Sequence, residues 1–245
     1  MRRGVLIVVG VVAVAIGALV LVVTFDDETR TETFQDVTEL VFDLQNSPVT
    51  LIGGATETVV EMTVTTGLLD GDVHVVREGD TLRLEQTCPL IIGWGCRAFI
   101  SIEMPSDVMV SGSTSNGFIT AESLDQTVSL TTSNGSVNVV DLSGPVVLRT
   151  SNGELLALEM SSRMVDASTS NGRLQLEFAA APSSVQASSS NGAIEVFLPD
   201  DAPAYAVDAS TSNGKVSTDV RTDPSAADSI VLETSNGDIT LRYRE

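Results

Sequence analysis

Between residues 115 and 237 the tripeptide Ser-Asn-Gly occurs seven times, with its asparagine at Asn116, Asn134, Asn152, Asn171, Asn191, Asn213 and Asn236. A unit that recurs every 18 to 23 residues is too short to bury an apolar face alone, so such units must stack and share one core. The flanking pattern is constant. Six residues before each asparagine stands a β-branched aliphatic: Val110, Val128, Val146, Val165, Val185, Val207 and Ile230. Two before it comes a hydroxyl: Thr114, Thr132, Thr150, Thr169, Ser189, Thr211 and Thr234. Three after it the aliphatics return as Ile119, Val137, Leu155, Leu174, Ile194, Val216 and Ile239. This is the alternation of strands buried on one face. Inward positions fall at even offsets before the asparagine and at odd offsets after it, so a corner lies at each Ser-Asn-Gly. Gly117, Gly135, Gly153, Gly172, Gly192, Gly214 and Gly237 are expected to supply backbone with φ > 0 there. The expected fold class is all-β: a parallel β-solenoid of about seven Ser-Asn-Gly rungs over residues 108–245, right-handed by the default of parallel crossovers.

In such a stack the corner asparagines fall one above another, where side-chain amides hydrogen-bond from rung to rung. They are read as a structural ladder, with Asn236 on an end rung and so with a neighbour on one side only. Three positions before the asparagine runs a small polar row that includes Ser168, Ser188 and Ser210 and is interrupted by Arg149 and Glu233. It is a candidate binding face, able to hold a glycan by many weak hydrogen bonds; solvated surface is the plainer account.

From Gly4 to Phe25 no residue is charged, a run of 22 that would span about 30 Å as a helix, the thickness of a bilayer core. Arg2 and Arg3 precede it and Asp26, Asp27 and Glu28 follow it. This predicts a single-pass transmembrane anchor over residues 1–25 at the cell membrane, with its start in the cytoplasm and the rest of the chain outside. A cleaved signal peptide is the alternative, but the run exceeds the usual signal-peptide core and its one small-x-small pattern, Ala13 to Ala15, lies inside it. Residues 26–36 are acidic and Thr-rich and read as a linker. Residues 37–107 alternate like strands without the repeat and are expected to cap the solenoid as degenerate rungs. Cys88 and Cys96 flank the turn formers Pro89, Gly93 and Gly95, and outside the cytoplasm they are expected to form a disulfide. Between them Leu90, Ile91, Ile92 and Trp94 read either as a lid over the solenoid's end or as an apolar finger for a partner.

Thirteen Lys+Arg set against 33 Asp+Glu exclude a nucleic-acid binder, and 42% hydrophobic residues exclude a disordered chain. His74 is the only histidine, so catalytic sets that need two are excluded. No catalytic residues, metal site or cofactor are expected. The charged residues flanking the corners, among them Glu154, Asp166, Arg173, Glu195, Asp208, Lys215 and Asp238, are spread along the stack without a repeated cluster. Two cysteines and one distant histidine do not make a structural zinc site.

The repeated Thr-Ser-Asn-Gly motif resembles that of the bacterial putative-adhesin family of β-solenoid domains, domains of unknown function related to the head domain of auto-transporter adhesins. The resemblance covers residues 35–245 and implies an envelope protein, often with an amino-terminal membrane segment; it brings no catalytic residues. The function expected is that of a membrane-anchored, extracytoplasmic solenoid that binds a surface glycan or protein ligand or serves as an envelope scaffold. The alternative is an envelope-stress sensor or regulator acting through a membrane partner, since Met1 to Arg3 are too short to signal alone. End-to-end self-association of solenoids is a further expected partnership.

Overall fold

The computed structural model describes residues 6–13, 18–66, 72–87 and 97–244, and all regular structure among them is strand. The first part of the chain gives β1 (Leu6–Ala13), β2 (Ala18–Phe34), β3 (Glu39–Leu44), β4 (Val49–Ile52), β5 (Thr58–Thr66), β6 (Asp72–Glu78), β7 (Thr81–Thr87) and β8 (Arg97–Glu103). Each Ser-Asn-Gly then joins two strands. The first five repeats give β9 (Met109–Thr114) and β10 (Ile119–Leu124), β11 (Val128–Thr132) and β12 (Val137–Leu142), β13 (Val146–Thr150) and β14 (Leu155–Met160), β15 (Met164–Asn171) and β16 (Leu174–Phe178), and β17 (Ser184–Asn191) and β18 (Ile194–Leu198). The sixth and seventh give β19 (Ala206–Asn213) with β20 (Val216–Asp219), and β21 (Ser229–Asn236) with β22 (Ile239–Tyr243).

Strands before the corners stack in parallel in one sheet and strands after them in a second, with identical offsets opposed. Val128 pairs with Val110 and Val146, and Val137 with Ile119 and Leu155. Inward side chains therefore repeat as columns, and aliphatics such as Val128, Leu130, Val137 and Val139 are fully buried in one continuous core. Valine and isoleucine suit this pleated, half-buried surface. Where one rung carries Gly112 in the column, Phe42 from the paired strand β3 fills the space; a Cβ on Gly112 would lie 1.9 Å from the Phe42 ring.

The order of rungs in space is not their order in sequence. The seventh repeat lies against the fifth, because β21 pairs with β17 and β22 with β18. The sixth repeat is outermost, with β19 paired to β21 and β20 to β22. The other end is built alike. Strands β3 and β4 form a rung against β9 and β10, and β7 and β8, later in sequence, stack outside them. Antiparallel strands then close this end, β6 on β7 in one sheet and β5, β2 and β1 beyond β8 in the other.

Four expectations change. Residues 6–13 and 18–25 form an antiparallel strand pair where a transmembrane helix was expected; no helix of the described residues is long and apolar enough to cross a membrane, which says nothing of strands. The run is dominated by β-branched valine, which favours strand as readily as its length favours a spanning helix. Residues 26–34 are not a linker, since Asp26 to Phe34 pair with Thr66 to Thr58; alternate Thr29, Thr31 and Thr33 give them strand character. Asn236 is not on an end rung, because the seventh repeat is inserted between the fifth and sixth. The corner glycines do not adopt left-handed backbone, for of the seven only Gly237 has φ above zero, at 158°, close to extended. Glycine is required there by close approach: a Cβ on Gly135 would lie 2.0 Å from the Gly117 carbonyl oxygen, and one on Gly153 1.9 Å from that of Gly135. Cys88, Cys96 and the apolar residues between them lie outside the described residues.

Candidate binding face

The corner is built from two hydrogen-bond ladders, one buried and one exposed. Inside, the hydroxyl two before each asparagine donates to the corner carbonyl of the rung below: Thr132 to Gly117 at 2.9 Å, Thr150 to Gly135 at 2.9 Å, Thr169 to Gly153 at 3.1 Å. Ser189, Thr234 and Thr211 repeat this toward Gly172, Gly192 and Gly237. The carbonyl that forbids a Cβ on the next glycine is thus also the acceptor that satisfies a buried threonine.

Outside, the asparagine amides form a single-direction chain. Asn134 Nδ2 donates to Asn116 Oδ1 at 2.8 Å, Asn152 to Asn134 at 2.9 Å, Asn171 to Asn152 at 2.9 Å and Asn191 to Asn171 at 3.0 Å. It continues from Asn236 to Asn191 and from Asn213 to Asn236, both at 2.9 Å. The amides are solvent-exposed rather than buried. The Nδ2 of Asn134, Asn152, Asn171, Asn191 and Asn236 also reaches a serine carbonyl of the rung below at 3.4 to 3.5 Å, so their donors are turned along the stack rather than outward. An eighth amide, Asn46, accepts from Asn116 at 2.8 Å. Its sequence signal is the repeat's own offsets, with Leu40, Phe42 and Leu44 before it and Val49 and Leu51 after it; Gln45 in place of the serine and Ser47 in place of the glycine hide the motif. Below it the Gln86 side-chain oxygen accepts from the Gln45 backbone N–H at 2.9 Å and the Ser47 hydroxyl at 2.9 Å.

What faces solvent beside the amides is the serine preceding each one. Ser115, Ser133, Ser151, Ser170, Ser190, Ser235 and Ser212 are all exposed, one per rung, about 4.8 Å apart along the stack. The row three before the asparagine is less regular than its sequence suggests. Ser168 pairs with Ser188, but Glu233 stands between Ser188 and Ser210, because the seventh repeat lies between the fifth and sixth. Ser168 Oγ also accepts from the Arg149 guanidinium at 2.9 Å, and that guanidinium holds Asp166 at 2.7 Å. Ser168, Ser188 and Ser210 are therefore not one continuous hydroxyl face. The continuous face is the corner serine column, which runs unbroken past the change of rung order.

A model of the family described as Toastrack DUF4097 matches residues 105–242. No curated protein sequence matches the chain. Similar solved structures include a putative cell adhesion protein from Clostridium sporogenes, 12% identical, covering 89% of this chain and 100% of that one with a TM-score of 0.42. A putative adhesin from Bacteroides fragilis is 15% identical over 88% of this chain and 96% of its own, with a TM-score of 0.44. A putative lipid binding protein from Parabacteroides distasonis is 12% identical over 88% and 97%, with a TM-score of 0.46. With its repeats spanned from end to end by the family model, the chain belongs to the Toastrack DUF4097 family.

Proposed function

We propose that this protein is an extracytoplasmic β-solenoid, attached to the cell membrane through its uncharged amino-terminal run, that binds a surface ligand along its corner face in the manner of an adhesin or envelope scaffold. The observation that carries the reading is the unbroken column of exposed serines from Ser115 to Ser212, at fixed spacing on a rigid stack. Each hydroxyl both donates and accepts, and many such contacts in a line suit an extended polar ligand such as a glycan. Membrane attachment rests on the charge-free run from Gly4 to Phe25 between Arg2, Arg3 and the acidic residues after it. Nothing in this reading asks for a catalytic group, metal or cofactor.

The test is capture from envelope extract by the full chain and by a variant with Ser151, Ser170 and Ser190 each changed to Lys. The reading expects a bound polysaccharide or surface protein that the variant loses while its thermal midpoint is kept. Capture of one integral membrane protein, unaffected by the serine changes, would favour the sensor instead.

A further inference from the structure

The two ends of the stack are finished differently. At the amino-terminal end, β6 and the series β5, β2 and β1 cover the last parallel rung with antiparallel strands. At the other end β19 and β20 are the last members of their sheets, each paired on one side only. The interior is open there. Val207, Ala209, Val216 and Thr218 hold offsets whose counterparts in the rung beneath, Ile230, Leu232, Ile239 and Leu241, are fully buried, yet Val216 is 44% exposed. An open hollow of about 690 Å³ lies over them, also lined by Val220 and Val231.

The edge is presented with a definite backbone phase. Tyr205 exchanges hydrogen bonds with Arg221 and Asp223, while Ala206 donates to Asp228, the residue just before β21. Backbone direction alternates along a strand, so Val207, Ala209 and Thr211 turn their N–H and C=O away from β21. These are also the residues whose side chains face the core column. On β20, Lys215 accepts from Ile239 of β22, which leaves Val216 and Thr218 as the outward-bonding, core-facing residues.

We propose that this open end is the docking surface for a second copy of the chain, joined end to end across a two-fold axis. The opposite end finishes in the antiparallel strands β6 and β1 rather than in a parallel rung, so it does not match this end, and the two like ends are placed against each other. Two-fold symmetry makes the strand pairing antiparallel and each strand its own partner. Keeping core faces together sets the register: Ala209 opposite Ala209 and Val207 opposite Thr211 on β19, Thr218 opposite Thr218 and Val216 opposite Val220 on β20. In this register Asp208 faces Ser210 and Asp219 faces Ser217, so each edge carboxylate meets a hydroxyl; the one like-charge pair is Lys215 with Arg221, just beyond β20, where the Arg221 guanidinium is already held by the Tyr243 hydroxyl and the Ala202 carbonyl. Pairing would cover both open edges and close the hollow.

Sedimentation velocity of the full chain in non-ionic detergent is expected to show a mass that doubles as concentration rises. Ala209→Lys should hold it at the monomer mass with the thermal midpoint unchanged, since Ala209 is already partly exposed. Thr218→Cys, at the two-fold centre, should form a disulfide-linked dimer under mild oxidation, whereas Thr131→Cys on the side of the stack should not. A wild type that stays monomeric overturns the proposal. So does a dimer that survives Ala209→Lys, which would be made elsewhere, such as by the apolar amino-terminal run. Failure of Thr218→Cys to cross-link alongside Thr131→Cys would overturn it as well.

Discussion

At an exposed corner an asparagine amide trades every bond it makes against water, so the ladder's worth per residue is that of an ordinary hydrogen bond and not that of a buried one. Asn171 donates to Asn152 and accepts from Asn191. Its replacement by alanine is expected to cost about 1 kcal/mol in chemical denaturation, and Asn213→Ala, which breaks one amide contact, about half that. Asn236 should behave like Asn171, since it bonds on both sides. The ladder's partners from Asn116 to Asn191 were legible from the Ser-Asn-Gly spacing, but those of Asn213 and Asn236 were not, and neither was its exposure, because offset parity does not say on which side of a corner an amide lies. The glycine requirement was legible as a residue type and not as a cause: the carbonyl that crowds Gly153 belongs to a residue 18 positions earlier and leaves no local trace. Tyr205 is a different case, fully buried with its hydroxyl donating to the Pro182 carbonyl at 2.9 Å. Burial, aided by the charges of Asp228 and Tyr243, pushes its hydroxyl up to about 12. The folded state thus keeps this proton to higher pH than the unfolded chain does. The resulting stability is whole below about pH 10 and lost as pH rises from there through about 12. Tyr205→Phe should flatten the alkaline unfolding curve in that window, and the tyrosinate absorbance difference between the two proteins should show the late ionisation directly.

For an element, what matters is which strands it needs in place before it can pair. Strands β19 and β20 touch the sheets only through β21 and β22, so removing residues 224–245 should strip them of partners as well. Removing residues 199–223 is the instructive contrast. It joins β18 to β21 through Pro224 to Asp228, close in length to the natural return from Phe178 to Ser184, and rejoins rungs that are already neighbours. The internal deletion should leave a cooperative unfolding transition, and the carboxy-terminal truncation should expose β19 and β20 amides to rapid hydrogen exchange. The rung order itself escaped the sequence because the sixth and seventh repeats share every motif offset. One signal was there: five after the asparagine, other repeats carry Ala121, Val139, Ala157, Leu176, Val196 and Leu241, and the sixth alone carries a hydroxyl, Thr218. A polar residue in a core column belongs on a rung with solvent on one side. The strand β2 was misread for the opposite reason, since its acidic, Thr-rich sequence suits both a solvated tether and the edge of a sheet, and its pairing with β5 is a non-local fact.

Taken whole, the molecule is a rod of one core carrying 33 acidic and 13 basic residues, so net repulsion acts along its entire length. Its ion pairs are mostly surface ones, such as Arg149 with Asp166, and contribute little. Screening should therefore stabilise on balance, and the thermal midpoint is expected to rise with sodium chloride up to about 0.15 M, where the Debye length is near 8 Å. A fall instead would mean that the pairs outweigh the repulsion. The tucked rungs also bear on how such a rod would carry load. A rod held at one end and gripped at the other is pulled along its chain, and an edge strand gives way to a pull one bond at a time. Here the last strand, β22, lies between β18 and β20, and near the other end β3 lies between β7 and β9. Tension on either side of the repeats must drag a strand out from between two neighbours, so the bonds along it are sheared together and the stack resists peeling from its ends.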